Sequence, residues 1–193
     1  MKEFIMNFKM TLFGLIQSDY KKHQKYGSHF FVIFFFTQGF WAVFQYRLAS
    51  YIYCNVHIPL LRQLFLFVCL IGYKTIEIST GISIPASAKI GHSFYIGHFG
   101  GIIINPEAII GTNCNISQGV TIGVSGLGIK RGVPIIGNNV YIGANSVVSG
   151  KIIIGNNVLI GACSMVNRSL SDFAVALGVP AMVVSEKGSK GYI

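Results

Sequence analysis

Residues 134–166 read PIIGNNVYIGANSVVSGKIIIGNNVLIGACSMV, with an aliphatic residue at every sixth place: Ile136, Ile142, Val148, Ile154, Ile160 and Val166. A period of six fits neither the 3.6-residue turn of a helix nor the two-residue alternation of a lone strand. It fits a parallel β-helix, where each hexapeptide is one short strand and one turn. The aliphatic residue points into a narrow core, and the residue after it clears a corner where a side chain is unwelcome, so glycine is frequent there. Three rungs close one triangular coil of about eighteen residues, and coils stack at about 4.8 Å, the spacing of paired strands.

Outward toward the N-terminus the beat continues through Ile122, Ile116 and Ile110, then through Ile102, Ile96, Ile90 and Ile84. Positions four residues past the beat are small or aliphatic, as at Ala88, Cys114, Val120, Val140, Ser146, Val158 and Ser164. Residues 80–168 are therefore expected to form the solenoid. The beat slips twice, within HFGGIIINPEA after Ile96 and again over residues 123–135, GVSGLGIKRGVPI. The second slip is expected to leave the body as an extruded loop. Residues 169–193 abandon the beat and are expected to cap the last coil, because an open coil exposes strand edges.

Residues 1–79 differ in kind and are expected to be α-helical. The chain is 52% hydrophobic and 11% charged, and the apolar excess lies mainly in this part. Residues 1–28 read as a short amphipathic helix and a polar link around Asp19, Lys21, Lys22 and Lys25. Residues 29–56 carry no charge before Arg47, which reaches the length of a membrane span, although Gln38, Gly39 and Gln45 interrupt the run. A further apolar run between Arg62 and Lys74 is short for a span. Two readings fit: helices packed into a subunit interface, or helices lying on the inner face of a membrane. MKEFIMNFKMTLFGLIQ carries Glu3 and lacks a small-residue cleavage site, so it reads as no signal peptide, and a cytoplasmic location is expected.

The net charge of +9 is spread over both halves without a dense basic stripe, which argues against a nucleic-acid partner and for an anionic surface or ligand. Cys54, Cys69, Cys114 and Cys163 show no framework spacing and read as reduced core thiols. His23, His29, His57, His92 and His98 make no column of three, so no metal site is expected.

Function should collect where the repeat breaks. His98 lies two residues past Ile96, and the same place on later coils holds Gln118, Ala144 and Ala162. These are expected to stack as one column, with an imidazole at the end of a groove cleared to alanines. That shape suits a long thin cofactor whose reactive end meets the histidine. The loop, with its glycines and the pair Lys130 and Arg131, suits a phosphate-bearing ligand held by backbone N–H groups and cations.

The stretches TGISIPASAKIG, YIGHFGGIIINPEAIIG, NISQGVTIG, PIIGNNVYIGANSVVSG and LGVPA together resemble the serine acetyltransferase-like branch of the hexapeptide acyltransferases, over about residues 80–184. The helical part resembles it loosely, through Asp19-Tyr20 and the QYRLA stretch. The resemblance implies a left-handed β-helix, an exception to the usual right-handed crossover. It also implies homotrimers, alone or paired into six, with sites between neighbouring solenoids and acetyl-CoA as donor. His98 would be the general base, Gly123, Ser125 and Gly126 would lie near the CoA arm, and Ala144 and Ala162 would line the pantetheine channel. Transfer would be direct, with no acyl-enzyme.

The departures bear on the acceptor. Gly97 stands where serine acetyltransferases have Asp, Ser83 and Pro85 stand for the Asp and second His of TGIDIHP, and Gly132-Val133 stand for an Arg-His pair. A zwitterionic amino acid needs a charged partner for each of its charges. The expected acceptor is therefore a hydroxyl of a sugar, on a capsular or other surface glycan or its precursor, and the chain resembles polysaccharide O-acetyltransferases more than true serine acetyltransferases. The alternatives are serine or another small-molecule hydroxyl, or a non-catalytic trimeric module. Gln118 is a candidate for acceptor contact, and Ser83, Glu107 or a backbone carbonyl for orienting His98.

Overall fold

The computed structural model describes residues 10–27 and 29–193. Residues 1–9, most of the stretch read for a signal peptide, lie outside the described residues. Among the described residues four helices come first: α1 (Leu12–Lys25), α2 (Phe30–Phe36), α3 (Gln38–Asn55) and α4 (Pro59–Thr80). The Thr11 hydroxyl caps α1 by accepting from Gly14 N–H at 3.2 Å. Asp19 to Lys25, read above as a link, are helical, because Asp19, Lys22 and His23 at i, i+3 and i+4 share the one face that is buried against the solenoid. Residues 29–56 are two helices rather than one run, since Thr37 is extended and its hydroxyl donates back to Val32 O. The run between Arg62 and Lys74 lies inside a 22-residue helix that opens on Pro59 and ends at left-handed Gly81.

From Ile82 onward the chain winds as a left-handed β-helix of two- and three-residue rungs. Three parallel sheets form its walls. Face A is β1 (Ile82–Ser83), β4 (Ile102–Ile104), β7 (Thr121–Gly123), β10 (Val147–Ser149) and β13 (Met165–Val166). Face B is β2 (Lys89–Ile90), β5 (Ile109–Ile110), β8 (Ile135–Ile136) and β11 (Ile153–Ile154). Face C is β3 (Tyr95–Ile96), β6 (Asn115–Ile116), β9 (Tyr141–Ile142), β12 (Leu159–Ile160) and β14 (Val175–Leu177), closed by the antiparallel β15 (Met182–Ser185). The inward residues are fully buried, each such Ile contributing about 1.5–3 kcal/mol.

Pairing corrects the beat at one point. Ile104, not Ile102, pairs with Ile122 and continues the inward column, while Ile102 pairs back to Ile82. The two extra residues therefore sit between Ile96 and Ile104, in the turn that carries His98. The solenoid also outlasts residue 168. Leu170 bridges Ile154 in parallel and β14 pairs with β12, so only β15 and the tail form the cap. The beat is lost there because the last face-B rung arrives early, yet Gly155 N–H still donates to Leu170 O.

Glycine after the beat reflects backbone stacking. A Cβ on Gly111 would lie 2.5 Å from Gly137 O, and one on Gly137 the same distance from Gly155 O. Among the cysteines only Cys114 is core, its thiol pushed up to about 12 by burial, whereas Cys54 and Cys163 are exposed.

A buried ion pair between α1 and α3 is hydrogen-bonded onto the solenoid backbone. Arg47 Nε donates to Asp19 Oδ2 at 2.8 Å, and its other nitrogens donate to the carbonyls of Ile90 and Gly91. Asp19 Oδ1 accepts from Phe94 N–H, and Tyr46 OH donates to Ala88 O. The Asp19-Tyr20 and QYRLA stretches thus supply the joint between the two parts.

Candidate active site

The corner between faces C and A carries the sequence-derived column. Asn145 N–H donates to Gln118 O at 2.9 Å and Cys163 N–H to Ala144 O at 2.8 Å, so Gln118, Ala144 and Ala162 stack as expected. One coil up, Gly119 N–H donates to Gly100 O at 2.8 Å. Gly100, not His98, is therefore the fourth member of the backbone stack. His98 and Phe99 occupy the two-residue bulge before it, and both are exposed. All of these residues lie on one corner. The column ends in a bulge that lifts the imidazole off the wall rather than stacking it on Gln118.

The next residue at this corner is left-handed on every coil: Gly101 at φ 65°, Gly119 at 71°, Asn145 at 58° and Cys163 at 56°. Gly and Asn tolerate that conformation best. Below His98 the corner offers only Gly100 and the methyl groups of Ala144 and Ala162, apart from the half-buried Gln118. Gly39 pins the site to the helices, since a Cβ there would lie 2.1 Å from Ile96 O, two residues before His98.

The loop leaves at the corner between faces A and B. Ser125 and Gly132 exchange backbone hydrogen bonds of 3.1 and 3.0 Å and close its neck. Gly126 is left-handed and tight against Lys130 O, where a Cβ would come within 2.5 Å. Its tip is a single 3₁₀ turn, Gly128–Lys130, with Leu127 88% and Ile129 91% exposed beside the exposed cations Lys130 and Arg131. Within one chain, His98 and this loop stand at opposite edges of face A.

Neither proposed orienting side chain reaches His98. The Ser83 hydroxyl is 2.5 Å from Tyr73 OH, which also donates to Glu77 Oε1. The Lys74 ammonium, through its hydrogen bond above all, holds the Glu77 carboxyl below the usual range. Glu107 is exposed on the loop corner, its N–H donating to Asn105 Oδ1. Among the described residues no group of three or more His, Cys, Asp or Glu could hold a metal. Cys163 lies on His98's corner but three coils away, about 14 Å along the axis.

Phe99 escapes notice in the sequence, because only the backbone pairing places the insertion beside it. Counting back from Ile104 instead of forward from Ile96 would have exposed the bulge.

Residues 134–168 match the family model described as bacterial transferase hexapeptide (six repeats). The chain is 32% identical to a serine acetyltransferase of Bacillus subtilis over 84% of its own length and 71% of that protein. It is 34% identical to a serine acetyltransferase of Synechococcus elongatus over 78% of its length, and spans 58% of that relative. A solved serine acetyltransferase in complex with CoA superposes with a TM-score of 0.76 at 26% identity, over 95% of this chain and 73% of that one. These likenesses are to named serine acetyltransferases, which corrects the expectation of a closer match to polysaccharide O-acetyltransferases.

Proposed function

Because the chain belongs to the serine acetyltransferase family, we propose that it is an acetyl-CoA-dependent O-acetyltransferase with His98 as its general base. The observation that carries the reading is the bulge itself: an exposed imidazole at the head of a corner cleared to Gly100, Ala144 and Ala162. A neutral imidazole nitrogen takes the proton of the acceptor hydroxyl as its oxygen attacks the thioester carbonyl. The tetrahedral oxyanion is held by backbone N–H donors of the turn. Its collapse breaks the C–S bond, and the leaving CoA thiolate takes the proton back from the imidazolium. Lys130 and Arg131 suit the phosphates of the donor, and Gly123, Ser125 and Gly126 let the loop backbone approach it. A trimer fits this scheme, since a neighbour's loop brought against His98's corner would close a site that one chain holds at two separate edges.

The names of the relatives make L-serine the first acceptor to test. A second reading, a sugar hydroxyl of a surface glycan, is favoured by what stands at the positions where serine acetyltransferases carry charge. Gly97, Gly132 and Val133 carry no charge, and Ser83 is bonded to Tyr73, so none of these positions offers an ion for an ammonium or a carboxylate. Incubation with acetyl-CoA and L-serine, followed by thiol release, decides between them. Rapid release supports serine. Release only with a sugar acceptor supports the second reading, and no release or CoA binding with any hydroxyl sinks both.

A further inference from the structure

The helical part carries the largest feature that acetyl transfer leaves unused. At about 100° per residue, the exposed apolar side chains of α4 cover an arc of roughly 220°, more than half its circumference. Leu60, Leu64, Phe67, Ile71 and Ile78 mark its centre, Leu60 at 80% and Ile78 at 84% exposed. Leu66, Cys69 and Tyr73 turn inward, where Gln45 Nε2 donates to Cys69 O and Tyr73 meets Ser83. A helix apolar on all sides calls for burial on all sides. Two-helix pairing covers only a narrow a/d seam, much less than this arc.

Charge indicates what covers it. On α4 the one carboxylate, Glu77, is bound to Lys74, so the outer face presents no free negative charge. At the α3–α4 turn a cavity of about 360 Å³ is lined by Tyr53, His57, Arg62 and Gln63 among others, with no acidic residue. The Arg62 guanidinium stands over the Tyr53 ring at 4.9 Å and donates to Tyr53 O. This cation-capable hollow lies at the N-terminal end of α4, on the side opposite the broad leucine and phenylalanine face, as a headgroup phosphate lies above acyl chains. Gln45 and Ser83 bond the inner side of α4 to α3 and to the first rung of face A; by length and composition alone the helix could cross a membrane, and the side held by protein is what sets it on a surface instead.

We propose that the outer face of α4 and the α3–α4 turn dock on the surface of an anionic phospholipid bilayer, with Arg62 and His57 at the headgroup phosphates. The test is co-sedimentation of the full chain with phosphatidylcholine vesicles containing about 30% phosphatidylglycerol, against phosphatidylcholine alone. Binding should require the anionic lipid, weaken with salt, and fall about tenfold in Leu64→Ser/Phe67→Ser and severalfold in Arg62→Gln. Leu60→Glu serves as a second variant, because a side chain so exposed supports no internal packing, and it too should weaken binding. Absence of binding by the unaltered chain overturns the proposal, as does equal binding to neutral vesicles. Sedimentation equilibrium adds one further outcome: an assembly without lipid that Leu60→Glu splits, in a chain that ignores vesicles, assigns the face to a second copy. The readout is lipid binding alone, so it stands or falls apart from the acetyltransferase reading.

Discussion

Two corners of one triangular helix share a backbone conformation and differ in everything attached to it. Between faces B and C, Ser93, Asn113, Asn139, Asn157 and Phe173 are left-handed, like Gly101, Gly119, Asn145 and Cys163 between faces C and A. The first corner is bonded shut. Asn113 Nδ2 donates to Asn139 Oδ1 at 2.7 Å and Asn139 Nδ2 to Asn157 Oδ1 at 3.0 Å, an amide ladder running along the axis. Lys22 caps it at Asn113, burial holding its ammonium down at about 8, and Ser18 accepts from Ser93 N–H. Ser189 of the tail donates to Asn139 O. The second corner has no such ladder, is lined with small residues and has gained a two-residue bulge bearing His98. The same turn serves as mortar in one place and as an open berth in the other.

The largest effect that separates them is catalytic. His98→Ala should lower acetyl transfer about 10²–10⁴-fold in steady-state assays, with thermal unfolding unchanged. If the rate is kept, the bulge is not the catalytic feature. Asn139→Ala should do the reverse, removing two ladder bonds and leaving Ala in a left-handed turn. It should lose about 1–3 kcal/mol in denaturant unfolding while kcat stays the same. A smaller contrast comes from filling the berth: Ala144→Leu should raise KM for acetyl-CoA about tenfold with stability intact. Unchanged KM would remove the donor from this corner.

The smallest effect concerns the joint beside the ladder corner. His23 is buried, its Nδ1 donates to Asp19 O at 2.9 Å, and its Nε2 has no hydrogen-bond partner among the described residues. Burial lowers its pKa below the ordinary 6.5. The unfolded chain therefore binds more protons than the folded one below that value, so stability is full above pH 6.5 and declines as pH falls. The slope is at most about 1.4 kcal/mol per pH unit, and it should flatten in His23→Gln. Identical pH profiles for the two chains would contradict it.

How much of this was legible in the sequence follows from periodicity. The inward Ile and Val residues and the column Gln118, Ala144 and Ala162 are read correctly, because one residue type recurs at one spacing. Where the beat breaks, the run Ile102-Ile103-Ile104 offers two places to restart, and only pairing to Ile122 selects Ile104. The position of the bulge, and with it Phe99, was hidden by that ambiguity. In the helices the difficulty is different. Apolar residues on every side leave no stripe to read, so nothing distinguishes buried Ile33 from its exposed neighbours Phe31 and Phe35. Arg47 looks like the end of an apolar run, and its partner Asp19 lies too far back in sequence for any local pattern to pair them. The loop is legible as an insertion, but its edge of face A, opposite His98, becomes visible only once the corners are assigned.

The most direct measurement is a crystal structure of the full chain with CoA bound. The account predicts the pantetheine arm lying along Ala144 and Ala162, with the thiol sulfur within about 4 Å of the His98 ring or of a hydroxyl bonded to it. CoA bound on another corner, or with its thiol pointing away from the bulge, would contradict it.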